Sequence, residues 1–197
     1  MNYLAHLYFA DDAPLHRLGN LAGDWIKGRI ENLDLPCDMI DGIRRHRWVD
    51  SRTDQHPALR HCHRLFHPAR RRAVPIILDM AFDHLLIRHW PDFASQSLTG
   101  FLDDCYADLA STQEYWPRAA QPTLDSMVRR RWLLRYRDPA HVAAALDRIA
   151  NRLSRDIGLR GTETELRAAL PALRPLHHAV MRDLRDALPA RNPAHLG

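Results

Sequence analysis

Apolar residues recur at three- and four-residue spacing along most of the chain, and no run shows the strict alternation of a half-buried strand. The pattern therefore predicts an all-α fold, a compact multi-helix bundle. Asn2 to Ala10 is a short apolar run that Asp11, Asp12 and Pro14 bring to an end. A second helix is expected over His16 to Ile30, with Leu18, Leu21, Ala22, Trp25 and Ile26 on one face. Beside that face stand Asn20 and Asp24, four apart, each preceded by a glycine, Gly19 and Gly23. Glycine inside a helix costs about 1 kcal/mol relative to alanine, so the pair points to close approach by another helix or a ligand. Asp38 to Asp54 is expected to form the third helix. The most apolar helix starts near Val74, with Pro75 in its first turn, and ends near Trp90-Pro91. It is too short and too charged to cross a bilayer and reads as a buried central helix. Further helices are expected over Ser95 to Ala110, Thr123 to Tyr136 and Pro139 to Ile157, the last closed by Gly158. Thr162 and Glu165 have capping-box spacing for a final helix, which Pro171 and Pro175 are expected to break or kink. Residues 1–190 are read as one domain and 191–197 as a disordered tail.

Two helices depart from this pattern by placing ionisable groups where apolar ones belong. On the third, Met39, Ile43, His46, Asp50 and Asp54 are spaced four, three, four and four, which puts them on one stripe that starts greasy and ends ionisable. On the central helix, Asp79 and Asp83 share a face with Ile76, Leu86, Ile87 and Trp90, and His84 is offset from Asp83 by roughly 100°. Carboxylates and an imidazole facing a core are costly without a compensating cation, and a divalent metal is the usual one where His and Asp converge. The competing reading pairs the acids with arginine: Arg44, Arg45, Arg47 and Arg52 on the third helix, Arg47 or Arg88 for the central one.

Composition narrows the class of protein. The chain has 197 residues, 46% hydrophobic and 26% charged, with a formal charge of +4, as in an ordinary globular protein. Lys27 is the only lysine, so the positive charge is almost all guanidinium, which favours bidentate contacts to carboxylates or phosphates. Cys37, Cys62 and Cys105 suggest neither a disulfide framework nor a zinc knuckle. The N-terminus lacks the positive region of a signal peptide, so a cytoplasmic protein with no membrane association is expected. The segment holding His61, His63, His67, Arg70, Arg71 and Arg72 reads as a solvated basic surface. No Gly-rich phosphate loop, nucleophile elbow, dinucleotide fingerprint or internal repeat is found. Arg129-Arg130-Arg131 beside Trp132 is too weak a signal to imply nucleic acid.

Seven short segments, in order, carry a resemblance. They are Met1-Asn2-Tyr3-Leu4-Ala5-His6-Leu7, Gly19-Asn20-Leu21-Ala22-Gly23-Asp24, His46-Arg47-Trp48-Val49-Asp50 with Thr53-Asp54, then Asp83-His84-Leu85-Leu86, Arg88-His89-Trp90 and Trp132 through Asp138. On these the chain resembles the acyl carrier protein phosphodiesterases, a helical family described as a divergent relative of the HD-domain phosphohydrolases. The adjacent pair here reads Asp83-His84 rather than His-Asp. The resemblance implies an HD-like bundle and a phosphodiesterase that releases 4′-phosphopantetheine from the serine of holo acyl carrier protein, within fatty acid biosynthesis. It implies a divalent cation, manganese by preference, with magnesium as an alternative. His6, Asp24, His46, Asp50, Asp83 and His84 are the implied metal ligands, with Asp54 and Asp79 orienting ligands or water. Arg47 would stabilise charge on the phosphoryl oxygens and Asp54 would orient the attacking water. Arg44, Arg45, Arg70, Arg71 and Arg72 would steer an acidic carrier protein. The rival readings are another metal phosphohydrolase acting on nucleotides or other diesters, and a non-catalytic helical binding protein.

Overall fold

The computed structural model describes residues 1–189; residue 190 and the 191–197 tail expected to be disordered lie outside them. Among the described residues eight α-helices follow one another: α1 (Tyr3–Tyr8), α2 (Pro14–Ala22), α3 (Cys37–Asp54), α4 (Val74–Arg88), α5 (Leu98–Ser111), α6 (Gln121–Arg130), α7 (Pro139–Ala150) and α8 (Glu163–Asp186). Short 3₁₀ turns join them, and no strand occurs among the described residues. The all-helical expectation is thus met.

Helix α4 is central, as its apolar composition requires. Ile77, Ala81, Leu86 and Ile87 are buried on different sides of it, and it packs against α1, α7, α8 and the 3₁₀ segment Trp132–Arg137. The closest helix pair is α2 with α3, and it explains the glycines. A Cβ on Gly19 would lie 2.1 Å from the Met39 carbonyl oxygen, and one on Gly42 would lie 2.2 Å from the His16 carbonyl oxygen. What approaches Gly19 is therefore a helix backbone. Because backbone cannot yield as a side chain can, Gly42→Ala is expected to cost about 1–3 kcal/mol or more, read as a lower midpoint in thermal or urea unfolding.

Several boundaries fall elsewhere than the pattern predicts. The second helix stops at Ala22 and continues as a 3₁₀ turn, Gly23–Trp25, instead of running to Ile30. A Cβ on Gly23 would be 2.3 Å from the His46 ring, so the chain tightens where it meets that imidazole. Arg131, at φ 48°, ends α6 in the left-handed region, and Trp132–Arg137 follows as 3₁₀ rather than α-helix. Helix α7 ends at Ala150, seven residues before Ile157. Pro171 and Pro175 sit inside α8, which runs through them as one element. Its buried face, including Leu166, Leu173, Val180 and Leu184, holds it in place, an instance of packing overriding propensity. The capping box does not form: Thr162 makes no side-chain cap, and Glu165 instead accepts hydrogen bonds from the His67 amide at 2.8 Å and Arg70 Nε at 2.6 Å.

Candidate metal centre

The stripe on α3 runs from core to surface. Met39 and Ile43 are fully buried, His46 is 3% exposed, and Asp50 is half-buried at the rim while Asp54 is exposed. Helix α1 delivers His6 to the same point. His6 Nε2 lies 3.2 Å from Asp50 Oδ1, His46 Nε2 lies 3.1 Å from Asp50 Oδ2, and the two imidazoles stack with centroids 4.1 Å apart. Asp24, from the turn after α2, reaches His46 Nε2 with Oδ1 at 3.3 Å and is largely exposed.

The outer nitrogens explain why these rings point inward. His46 Nδ1 is 2.8 Å from the Asn20 carbonyl oxygen, an acceptor, so Nδ1 carries the hydrogen. Asn20 Nδ2 donates to the His6 carbonyl at 2.8 Å, which turns its Oδ1 toward His6 Nδ1 at 3.2 Å. Asn20 thereby fixes both rings with their Nε2 atoms facing Asp50, the arrangement in which imidazole binds a metal. His6 Nε2 is buried and, although close to Asp50, makes no aligned hydrogen bond. The three donor atoms of His6, His46 and Asp50 lie within 4.8 Å of one another, so the residues fit a cation. The prediction that follows is that Asn20→Ala weakens metal binding about 10–100-fold, as loss of an orienting partner does, measurable by titrating manganese against the purified protein.

Charge is shared tightly here. Burial works against a charged His46, but its hydrogen bonds to Asp24 and Asp50 outweigh that and raise its pKa to about 9. His6 is pushed down, mainly by burial. Burial alone would raise Asp50, yet the adjacent imidazoles of His46 and His6 hold it well below the usual carboxylate range; His46 likewise lowers Asp24. The Met1 ammonium lies 3.3 Å from Asp50 Oδ1 and 3.0 Å from Asp79 Oδ1. Burial opposes its charge, but the two carboxylates raise its pKa to about 10. A second group, His89, Asp92 and His178, also brings three donors within 4.8 Å, but among the described residues no carbonyl orients its rings as Asn20 orients these.

The remaining expected ligands lie apart from this convergence. Asp83 is fully buried and both its oxygens accept backbone amides at the start of α1, from Leu4 at 3.0 Å and Ala5 at 3.1 Å. Burial raises its pKa to about 7 against the pull of those amides. His84 turns to the other side of α4, its Nδ1 donating to the Tyr136 carbonyl at 2.8 Å. Asp54 and Asp79 face one cavity of about 300 Å³ together with Thr53, His63 and Arg71. Arg47 donates to the Ile26 carbonyl at 3.2 Å, two residues from Asp24.

Of the arginines expected to steer a partner, Arg45 is buried and donates to the carbonyls of Phe9 and Pro189 at 3.1 and 2.8 Å. Arg70 ties Glu165 to the carbonyls of Gly158, Arg160 and Gly161. Arg44 pairs with Asp41 at 2.8 Å, and Arg71 and Arg72 are exposed. Asn20 is the residue that sequence patterning left without a role; its place one turn before Asp24, beside Gly19, was the available signal.

An all-helical protein with two imidazoles and a carboxylate converging on one point has the donor set of a metal centre. The family model described as acyl carrier protein phosphodiesterase matches residues 1–184. A protein of Salmonella paratyphi A named acyl carrier protein phosphodiesterase is 36% identical over 177 residues, covering 88% of this chain and 90% of the relative. One of Photorhabdus laumondii with the same name is 36% identical over 163 residues, 82% of each chain. The chain belongs to the acyl carrier protein phosphodiesterase family. No solved structure matches it. Among the described residues, no helix is long and apolar enough to cross a membrane.

Proposed function

We propose that this protein hydrolyses the phosphodiester joining 4′-phosphopantetheine to a serine of holo acyl carrier protein, giving the apo protein. The observation that carries this reading is the convergence of His6, His46 and Asp50 in a chain matched to the family over residues 1–184. Water adds to phosphorus, the bond from phosphorus to the serine oxygen breaks, and a proton returns to that oxygen. A divalent cation held by His6, His46 and Asp50 would supply positive charge against the phosphate and lower the pKa of water. The mixed imidazole and carboxylate donors suit manganese, with magnesium as a second choice.

His6 offers an Nε2 lone pair, His46 offers one once its Nε2 proton is displaced, and Asp50 offers an anionic oxygen. Asp24 faces solvent beside His46 and would be available as a further ligand. Arg47, held against Ile26 next to that turn, is assigned to charge on the phosphoryl oxygens. Asp54, exposed at the end of the α3 stripe, is assigned to orienting water. Asp83 and His84 support the reaction from outside the cation's reach: one anchors the helix that carries His6, the other fixes the Trp132–Arg137 segment. Buried free thiols at Cys62 and Cys105 are in keeping with a reducing, cytoplasmic setting.

The test is to incubate the protein with holo carrier protein and manganese and weigh the carrier by mass spectrometry. Loss of one phosphopantetheine group, stopped by a chelator, is the expected result. An unchanged carrier alongside cleavage of a small aryl phosphodiester would identify a different phosphodiesterase instead.

A further inference from the structure

A groove of about 710 Å³ begins at the residues flanking the metal ligands and extends between α1, α6 and α7. Its floor is a continuous row of rings. Trp25, next to Asp24, stacks on Tyr3 at 6.1 Å; Tyr3 meets Trp132 edge-on at 5.8 Å; and Trp132 meets Tyr136 at 5.5 Å. These rings are buried or partly buried, and His84 anchors the far end through the Tyr136 carbonyl. The rim is different. Arg130, Arg135, Arg148 and Arg152 line it, all exposed, and no aspartate or glutamate lines the groove. None of the four has an ion pair to a carboxylate among the described residues.

Unpaired guanidinium groups around an aromatic floor call for an occupant that is anionic outside and largely uncharged along its inserted part. Resting on the function proposed above, we propose that this groove is the docking site of the holo carrier protein. The uncharged, amide-bearing pantetheine arm lies along the Trp25–Tyr3–Trp132–Tyr136 row with its phosphodiester end at the metal centre. The acidic surface of the carrier sits on the four arginines. Single-stranded nucleic acid also binds grooves of rings and arginines, but it carries a phosphate at every nucleotide and needs cations along the row of stacked bases. Here the cations stand at the rim and the row itself has none. The assignment moves docking away from Arg45 and Arg70, whose donors are engaged within the fold.

Two measurements test it on the full chain: the affinity for fluorescently labelled apo carrier protein, by anisotropy at low salt, and KM for the holo form. The double reversal Arg148→Glu with Arg152→Glu is expected to weaken apo binding and raise KM by about tenfold or more, since rim charges turn from attractive to repulsive. The reversal Arg60→Glu with Arg64→Glu, exposed arginines outside the groove, makes the same change in net charge and should leave apo binding within about twofold. Trp132→Ala should raise KM for the holo form while apo binding, which involves no arm, holds. The docking proposal falls if the groove reversal leaves apo affinity unchanged, if the control reversal weakens it equally, or if single-stranded RNA displaces the carrier at lower concentration than free carrier does. If wild-type protein removes no phosphopantetheine from any carrier, the proposed reaction is wrong, and the apo-binding comparison still decides the docking surface by itself.

Discussion

Asp50→Asn is expected to lose metal and at least about 100-fold of turnover, more than loss of an orienting partner alone. Three groups lean on this carboxylate: His6 Nε2 at 3.2 Å, His46 Nε2 at 3.1 Å and the Met1 ammonium at 3.3 Å. An amide replaces one acceptor oxygen with a donor, and a donor aimed at Nε2 holds that lone pair away from a cation. Elemental analysis of the purified variant, with its kcat/KM on holo carrier protein, checks both halves; a variant that keeps stoichiometric metal would overturn the ligand assignment. The pH dependence has a definite sign. His46 has its pKa raised to about 9 by Asp24 and Asp50 against the effect of burial, and a metal must displace that proton. Metal affinity of the wild type should therefore climb by up to about tenfold per pH unit between 7 and 9. In the metal-free protein the same group contributes stability that is fully present below its unfolded value and lost as pH rises through about 9. That loss should be absent or smaller in Asp50→Asn.

Asp83→Ala is expected to destabilise the fold by about 3–5 kcal/mol, because it leaves the Leu4 and Ala5 amides without acceptors in a fully buried place. For a chain of this size that corresponds to a fall in melting temperature of roughly 10 °C. Asparagine keeps one acceptor, so Asp83→Asn should cost only about 1–3 kcal/mol. Comparing wild type with Asp83→Asn across pH isolates the carboxyl group. Its pKa is raised by burial from 3.8 to about 7, so the folded state holds a proton that the unfolded chain releases. The advantage of wild type over the variant should be largest near pH 4, shrink as pH rises toward 7, and stay level above it. A flat difference would mean that the two amides hold the carboxylate ionised throughout. Because α1 carries His6, the alanine variant should also bind metal more weakly, even though Asp83 lies outside the ligand group.

The sequence showed more of the helices than of their ends. Spacing of apolar residues located α3 and α4 to within a residue or two, and it marked His46, Asp50, Asp79 and Asp83 as polar groups on apolar faces. It could not separate a ligand from an anchor. Asp50 and Asp83 look alike as inward acids, yet one faces two imidazole nitrogens and the other faces two backbone amides. The difference depends on what stands opposite, and the opposite partner is 79 residues away in the chain for Leu4 and Asp83. The arginines pose the same problem. Arg45 and Arg148 are equally cationic, but one is buried against main-chain carbonyls and the other lines an open groove.

Local periodicity determined the helical class and the residues that cannot rest unpaired in a core, since burial on a helix face is set by positions three and four apart. Tertiary structure alone decided that Asn20 orients both imidazoles, that Asp83 holds α1, and that Trp25, Tyr3, Trp132 and Tyr136 form one row. Each is a meeting of segments far apart in the chain, and such meetings are fixed by how helices pack, which no spacing within one helix encodes.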